Sequence, residues 1–315
     1  RDEDPKFVPI SWDEALAMAA GRLNNLRSKG ESHRFGLLFG RGWGATDAGL
    51  FGDFAKLYGS PNVGLNHSSM CSDASKKAKL CVDGNYSYNS YDYENTNYML
   101  IFGASFLEAY RPLNANMQAW GKMRTKAAKT KVTVVDVHLN TTASAADHLM
   151  LVKSGTDGAL ALGLAHVIMT EGLWDKNFVG NFVPVVQPKD PKVERLPAYK
   201  FEAGKEIDPK TFEQKWVHGL PEWWNAVLKD CTPEWAEGIC TISAKEIRKV
   251  AREFATTKPA MALFERGATA HTNGVYNGMA IHSLNALIGS LFATGGLGYQ
   301  SGVPWAKLSY NPGDY

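Results

Sequence analysis

One cysteine of the sequence stands in a setting that suits metal binding. Cys71 follows a small, polar segment at residues 66–70 and lies beside a predicted helix start. A helix N-terminus lowers the pKa of a nearby thiol and so favours the thiolate, which is the form that binds metals. A buried, inert cysteine is the alternative interpretation. The four cysteines lack C-x-x-C spacing, which argues against a zinc site or an iron–sulfur motif within this chain.

Acidic residues stand at the ends of two predicted elements. A β-branched run at 132–135 ends on Asp136, and a second apolar run at 148–152 leads into a Ser-Gly-Thr-Asp-Gly turn that opens a helix. Open parallel sheets bind ligands outside the carboxyl ends of their strands. The Asp136 carboxylate can accept from a ribose hydroxyl or a purine N–H, and the turn suits a phosphate or the edge of a base. Simple capping of the helix by Thr156 and Asp157 is the other interpretation.

Other elements indicate an α/β protein. Short apolar runs at 34–39, 98–102 and 259–264 are typical of strands, and each is followed by small or polar residues. Because residues 35–44 resemble residues 259–274, we expect their strands to share one sheet. The sequence then predicts two Rossmann-like open-sheet domains, with a nucleotide-binding domain at 67–258 inserted into a discontinuous domain of 1–66 and 259–315.

Composition excludes several classes of protein. The 315-residue chain carries a net charge of +2, which gives no indication of nucleic-acid binding. It contains neither an apolar run long enough to span a bilayer nor a signal peptide. A nicotinamide dehydrogenase is disfavoured, because no strand is followed by G-x-G-x-x-G with an acidic residue at the right distance.

Several segments together resemble the molybdopterin oxidoreductases of the dimethyl-sulfoxide-reductase type. The similar segments, in chain order, are Val8–Ala15, the Gly-Ser-Pro-Asn turn at 59–62 followed by Cys71, Leu100–Gly103, Val134–Asp136, Gly155–Leu160, and Asn285–Gly289 with Gly295-Gly296. Each segment alone is a weak signal, but their order and spacing make the resemblance specific.

The resemblance implies a molybdenum or tungsten ion held by the dithiolenes of two pterin guanine dinucleotides and by one protein ligand, at Cys71. A thiolate is a suitable ligand for such a soft site. The other residues that the resemblance assigns to cofactor binding are Asp136, His138, Thr156 and Asp157 at the guanosine, Ser154 in the same turn, Gly103 and Ser105 at the diphosphate, and His271, Asn273 and Gly274 in a loop facing a pterin. The chain departs from the usual family pattern at three positions, where Val137-His138 replaces Pro-Arg, Ser105 replaces Asn and Ser154 replaces Pro.

The resemblance also implies what surrounds the chain. We expect a central fragment of a larger catalytic subunit, inactive in isolation, with any iron–sulfur cluster in a preceding N-terminal region. The expected activity is anaerobic reduction of a small sulfur compound or oxyanion. The expected partners are an iron–sulfur electron-transfer subunit and a membrane anchor, at the periplasmic or outer face of the membrane. A function from another class, a non-catalytic nucleotide-binding or scaffold module, stays open at this point.

Overall fold

The computed structural model describes residues 7–38, 45–64, 71–188 and 194–301. These residues fall into two compact units, which comprise the described parts of 1–70 and of 71–301. The predicted glycine-rich strand exit at 40–44 and the polar segment at 66–70 lie outside the described residues. No helix in the described ranges is long and apolar enough to cross a membrane.

The first unit is a small α/β arrangement. Its elements are α1 (Trp12–Ser28), β1 (Gly36–Leu38), α2 (Ala45–Tyr58) and β2 (Asn62–Gly64), and the two strands pair in parallel. Ser11 caps α1, since its hydroxyl accepts the backbone N–H of Glu14 at 3.1 Å.

The second unit contains a four-stranded parallel sheet. The strands of the second unit are β3 (Asn89–Tyr91), β4 (Tyr98–Phe102), β5 (Lys131–Asp136), β6 (His148–Leu151), β7 (Gly180–Phe182), β8 (Phe212–Gln214), β9 (Ala260–Phe264) and β10 (Leu297–Tyr299). The main sheet has the order β6-β5-β4-β9, while β3 with β10 and β7 with β8 form antiparallel pairs. The helices of this unit are α3 (Asp73–Asp83), α4 (Leu113–Thr125), α5 (Thr141–Ala145), α6 (Asp157–Thr170), α7 (Leu220–Ala226), α8 (Pro233–Cys240), α9 (Ala244–Thr256), α10 (Arg266–Thr269) and α11 (Gly274–Leu287).

Helices cover both faces of this sheet, as a parallel sheet requires. Every residue of β4 is buried, and successive side chains point to opposite faces. Leu100 and Phe102 pack into a large core with α6, α9 and α11, whereas Met99 and Ile101 pack into a second core with Met123 of α4. The α/β class predicted from the sequence is therefore confirmed.

The prediction that the strand near 35–39 shares a sheet with the strand near 260–264 is wrong. In the described residues β1 pairs with β2, while β9 pairs along its whole length with β4, from Tyr98 opposite Ala260 to Phe102 opposite Phe264. Burial explains the difference, because all five residues of β9 are buried and need helices on both faces. The proposed discontinuous domain of 1–66 and 259–315 rested on that pairing.

Candidate cofactor site at the carboxyl edge of the sheet

The strand order predicts a ligand-binding crevice at the carboxyl ends of β4 and β9. Moving along the chain, the sheet grows from β4 to β5 to β6 and then resumes on the other side of β4 with β9. Ligands of open α/β sheets bind at such a switch point, outside the carboxyl ends of the strands. Gly103 follows β4 and Glu265 follows β9, so these two residues mark the position of the crevice.

Close backbone packing at this point depends on glycine. The N–H of Gly267 donates to the Gly103 carbonyl at 3.0 Å. Gly103 has φ +54°, and a Cβ there would lie 2.4 Å from the backbone nitrogen of Ala268. Gly103 therefore lets α10 approach β4, which accounts for this residue without a ligand. The predicted approach of Gly103 and the half-buried Ser105 to a diphosphate stays a prediction.

Cys71 lies beside this crevice and contacts an arginine from it. The Arg266 Nη1 donates to Cys71 Sγ at 2.9 Å. Cys71 is half-buried and lies two residues before α3, in agreement with the predicted helix start. The hydroxyls of Ser75 on α3 and Thr269 on α10 are 2.8 Å apart, so the two elements that carry the thiol and the guanidinium are also joined one turn further on.

The surroundings of Arg266 are charged and poorly hydrated. Burial acts to lower the pKa of Arg266, but the hydrogen bond to Cys71 and the nearby Glu265 raise it overall. Burial raises the pKa of Glu265, against the attraction of Lys79 and Arg266. Burial has the opposite effect on an ammonium group, and it lowers the pKa of Lys79 to about 8. Charges act over longer distances in such a setting than in water, so an anion entering this crevice would be strongly attracted.

A second cation and a phenol lie one helical turn from Cys71. The Tyr88 hydroxyl donates to the Ser72 hydroxyl at 2.8 Å. The Lys76 Nζ sits over the Tyr88 ring, 4.8 Å from its centroid, and the Lys76 N–H donates to the Ser72 carbonyl. Lys76 and Tyr88 are both half-buried. Sequence reasoning missed Arg266, Lys76 and Tyr88, although the position of Arg266 directly after a buried strand was a usable signal.

Asp136 lies at the end of β5, where the sequence predicted it, and is 7 % exposed. Its carboxylate accepts the Val137 N–H at 2.7 Å and the Asn140 side chain at 2.8 Å. His138 Nδ1 lies 3.3 Å from the same carboxylate, and its side chain is exposed. Asp136 therefore organises its own loop. A carboxylate has about four acceptor positions, which leaves capacity for one further donor from a ligand.

The turn at 154–157 does not act as a simple helix cap. Thr156 occupies the N-cap position of α6, but its hydroxyl donates to the Lys153 carbonyl at 2.6 Å and forms no cap bond. Asp157 is 3 % exposed, and burial raises its pKa to about 6, with a further contribution from the charge of Asp136. Ser154 is exposed at the start of the turn. The capping interpretation thus fails for Thr156, and Asp157 is a buried carboxyl group with a raised pKa.

His271 and Asn273 lie in the loop between α10 and α11. The His271 Nε2 lies 3.0 Å from the Ala268 carbonyl, and its Nδ1 accepts the Asn273 N–H at 3.3 Å. A protonated His271 lowers the pKa of Asp157 through its charge, so this loop and the turn at 154–157 lie within electrostatic reach of one another. The His271 and Asn273 side chains are exposed, which leaves them accessible to a ligand.

The predicted site residues therefore form two groups at one edge of the sheet. One group contains Cys71 and the newly identified Arg266, and the other contains Asp136, Asp157 and His271. The segment from Arg266 to His271 connects them. In the described part of the chain, no three His, Cys, Asp or Glu side chains are grouped to hold a metal ion.

Comparisons with known proteins identify the family of this chain. The family model described as molybdopterin oxidoreductase matches residues 1–303. The chain is 40% identical over 308 residues to the molybdopterin-containing subunit of an arsenate respiratory reductase from Shewanella sp., covering 98% of this chain and 34% of that protein. It is 36% identical to the corresponding subunit from Chrysiogenes arsenatis, covering 96% of this chain and 34% of that protein.

More distant relatives show the same coverage. Dimethyl sulfoxide reductase from Escherichia coli is 29% identical, with 92% of this chain and 35% of that protein covered. Acetylene hydratase from Pelobacter acetylenicus superposes with a TM-score of 0.61 at 23% identity, over 93% of this chain and 34% of that structure, which supports the fold alone. The chain spans about a third of the length of the proteins it matches. On the strength of the family match over nearly its whole length, this chain belongs to the molybdopterin oxidoreductase family.

Proposed function

We propose that the full-length protein is a molybdenum (or tungsten) oxidoreductase that carries a bis-pterin guanine dinucleotide. Cys71 is the proposed protein ligand of the metal. The proposed reaction is the reduction of an oxyanion. The observation that carries the proposal is the contact between Cys71 and Arg266 at the switch point of the parallel sheet. When bound, the metal supplies two-electron transfer coupled to removal of an oxygen atom. Reduction then consumes two electrons and two protons and releases water.

The hydrogen-bond acceptors in the second group of site residues, around Asp136 and Asp157, fit a guanosine. Guanine presents N–H donors on one edge, and a carboxylate is their natural acceptor. Burial raises the pKa of Asp157 to about 6, and a pair of base N–H donors would favour its ionised form. We assign Asp136, His138, Ser154 and Thr156 to the same guanosine, Gly103 and Ser105 to its diphosphate, and His271 and Asn273 to the adjoining pterin.

The groups around Cys71 favour an oxyanion over a neutral sulfoxide. A guanidinium and an ammonium, from Arg266 and Lys76, together with the Tyr88 phenol match the charge and acceptor oxygens of a tetrahedral anion. A neutral sulfoxide would supply no negative charge to these two partly buried cations. The two relatives above 35% identity are subunits of arsenate respiratory reductases, so we propose arsenate or an anion of the same shape as the substrate.

The remaining parts of the proposal concern the full-length protein. We propose an iron–sulfur cluster in a region N-terminal to this chain, an iron–sulfur partner subunit, a membrane anchor, and a location on the periplasmic or outer face of the membrane. We also propose that the sheet of 71–301 is one of two Rossmann-like domains of the subunit. Relatives named as molybdopterin-containing subunits support the existence of partner subunits.

The substrate assignment is tested by replacing Lys76 with alanine in the full-length enzyme. Loss of a charge-assisted contact costs ~1.5–3 kcal/mol, so the KM for arsenate should rise by about 10-fold or more, with unchanged metal content. Lys77→Ala is the matched control, because Lys77 is exposed on the same helix and pairs with Asp73. Equal effects of the two substitutions, or turnover of dimethyl sulfoxide in preference to any oxyanion, would exclude the proposed substrate class.

A further inference from the structure

A buried asparagine connects the two groups of site residues. Asn277, on α11, is 2 % exposed. Its Nδ2 donates to the Gly155 carbonyl at 3.3 Å and to the Ala268 carbonyl at 3.2 Å. Gly155 belongs to the turn that precedes Asp157, and Ala268 belongs to α10, which carries Arg266. One carboxamide thus bonds the backbone on both sides of the crevice.

The hydrogen-bond donors at this point all have acceptors. The two N–H groups of Asn277 meet two carbonyls. Because His271 Nδ1 accepts from Asn273, its Nε2 carries the proton and donates to the Ala268 carbonyl. The 3.1 Å separation of Asn277 Nδ2 and His271 Nε2 is then the approach of two donors to the same carbonyl oxygen. Both N–H groups of Asn277 are therefore used within the site.

Close packing around Asn277 is provided by a glycine on the facing helix. A Cβ at Gly158 would lie 2.3 Å from Asn277 Oδ1 and 3.1 Å from its Cα. Gly158 immediately follows Asp157, so the start of α6 fits against Asn277 because residue 158 has no side chain. Rotation of the carboxamide away from its two carbonyls is therefore blocked on the side of α6.

We propose that Asn277 is a positioning residue that makes the turn at 154–157 and the segment at 266–271 move as one unit. Occupancy of the turn by a guanosine then steadies the segment that holds Arg266 against Cys71. The identity of the ligand rests on the proposed function, whereas the mechanical connection between the two segments does not.

The chain provides a matched control on the same helix. Asn285, two turns further along α11, is fully buried and also bonds backbone through its carboxamide. Its Oδ1 accepts the Ala262 N–H at 2.7 Å and its Nδ2 donates to the Ala262 carbonyl at 2.9 Å. Asn285 holds β9 and touches neither of the two site segments, so Asn285→Leu reports the general effect of removing a buried carboxamide from α11.

The test is hydrogen exchange of the 315-residue chain, followed by mass spectrometry. In Asn277→Leu the amides of 154–159 and of 266–271 should both exchange faster, by about 10-fold, because each segment loses its connection. In Asn285→Leu the acceleration should be confined to 260–264. Acceleration of only one segment in Asn277→Leu, or the same pattern in both variants, would overturn the proposal. If Asn277→Leu does not fold, Asn277→Ser, which keeps one donor, is compared with Asn285→Ser in the same way.

A second arm with GDP separates this inference from the proposed function. Saturating GDP should slow exchange in both segments of the wild-type chain and only at 154–159 in the Asn277 variant. Slowing at both segments in the Asn277 variant would contradict the role of Asn277. A wild-type chain that does not respond to GDP would refute the guanosine assignment, while the ligand-free comparison would still decide whether Asn277 joins the two segments.

Discussion

Replacing Asp157 by asparagine should stabilise the chain at neutral pH. Burial raises the pKa of Asp157 from 3.8 to about 6. In the unfolded chain this carboxyl loses its proton near 3.8, whereas in the folded chain it keeps the proton until about 6. The folded state therefore binds more protons between these values, and stability falls as the pH rises through this window. At ~1.4 kcal/mol for each pKa unit, the loss amounts to about 3 kcal/mol at pH 7.

The measurement is the free energy of unfolding in urea between pH 4 and 8. Asp157→Asn lacks the titrating group, so it should equal the wild type near pH 4 and exceed it by up to about 3 kcal/mol at pH 7. Asp147→Asn is the control of opposite sign. Hydrogen bonds from Arg124 at 2.5 and 2.8 Å lower the pKa of Asp147, so its removal should destabilise the chain at pH 7.

The same substitution tests the role of Asp157 in binding. Guanine N–H donors require the ionised carboxylate, so the affinity for guanosine should fall about 10-fold between pH 7 and pH 5. Guanosine is the appropriate probe because it has no phosphate that titrates in this range. In Asp157→Asn the affinity should be lost along with most of its pH dependence. For the stability prediction, the refuting result is a pair of parallel urea stability curves for wild type and Asp157→Asn, or a variant that is less stable than the wild type at pH 7.

Three further predictions concern the scaffold, and each is measured by urea denaturation at pH 7. Gly267→Ala should cost about 1–3 kcal/mol or more, because its Cβ would lie 2.5 Å from the Gly103 carbonyl oxygen; a neutral outcome would show that α10 is free to shift. Leu160→Ala, at a fully buried position of α6, should cost about 2–5 kcal/mol, and a smaller loss would mean that the core there is loosely packed. Glu171→Gln breaks the exposed ion pair with Arg252 at 2.8 Å and should leave the free energy of unfolding unchanged within error. A clear loss of stability would show that this surface ion pair contributes more than exposed pairs usually do.

Local sequence patterns were sufficient to locate the principal elements of the sheet. The apolar runs ending at Phe102, Asp136 and Phe264 all form strands, and the Ser243 hydroxyl caps α9 by accepting the Glu246 N–H at 3.2 Å. These features depend on residues close together in the chain. For the same reason the acidic residues at strand and helix ends were identified correctly as lying at the carboxyl edge.

Strand partners could not be read from local similarity. The resemblance between residues 35–44 and 259–274 predicted a shared sheet, but β9 lies beside β4 because its residues need burial on both faces. That requirement depends on helices far away in the chain. The strand order in turn defines the switch point, so the position of the crevice was also beyond sequence reasoning.

The contacts of Arg266 and Asn277 likewise depend on parts of the chain that are far apart in sequence. An arginine after a strand and an asparagine within a helix each have several ordinary explanations. Only the folded arrangement brings Arg266 to Cys71 and places Asn277 between Gly155 and Ala268. Glycine gave a clearer signal, since Gly103 and Gly267 mark a place where two backbones approach each other too closely for a side chain.

The most direct test of the central claim is the number of sulfur ligands around the metal in the full-length protein. Molybdenum X-ray absorption of the wild type is compared with that of Cys71→Ser, at matched metal content. If Cys71 binds the metal, the variant should show one sulfur fewer and one light-atom ligand more. An unchanged sulfur count, with full metal content and turnover, would remove Cys71 from the metal site and contradict the account.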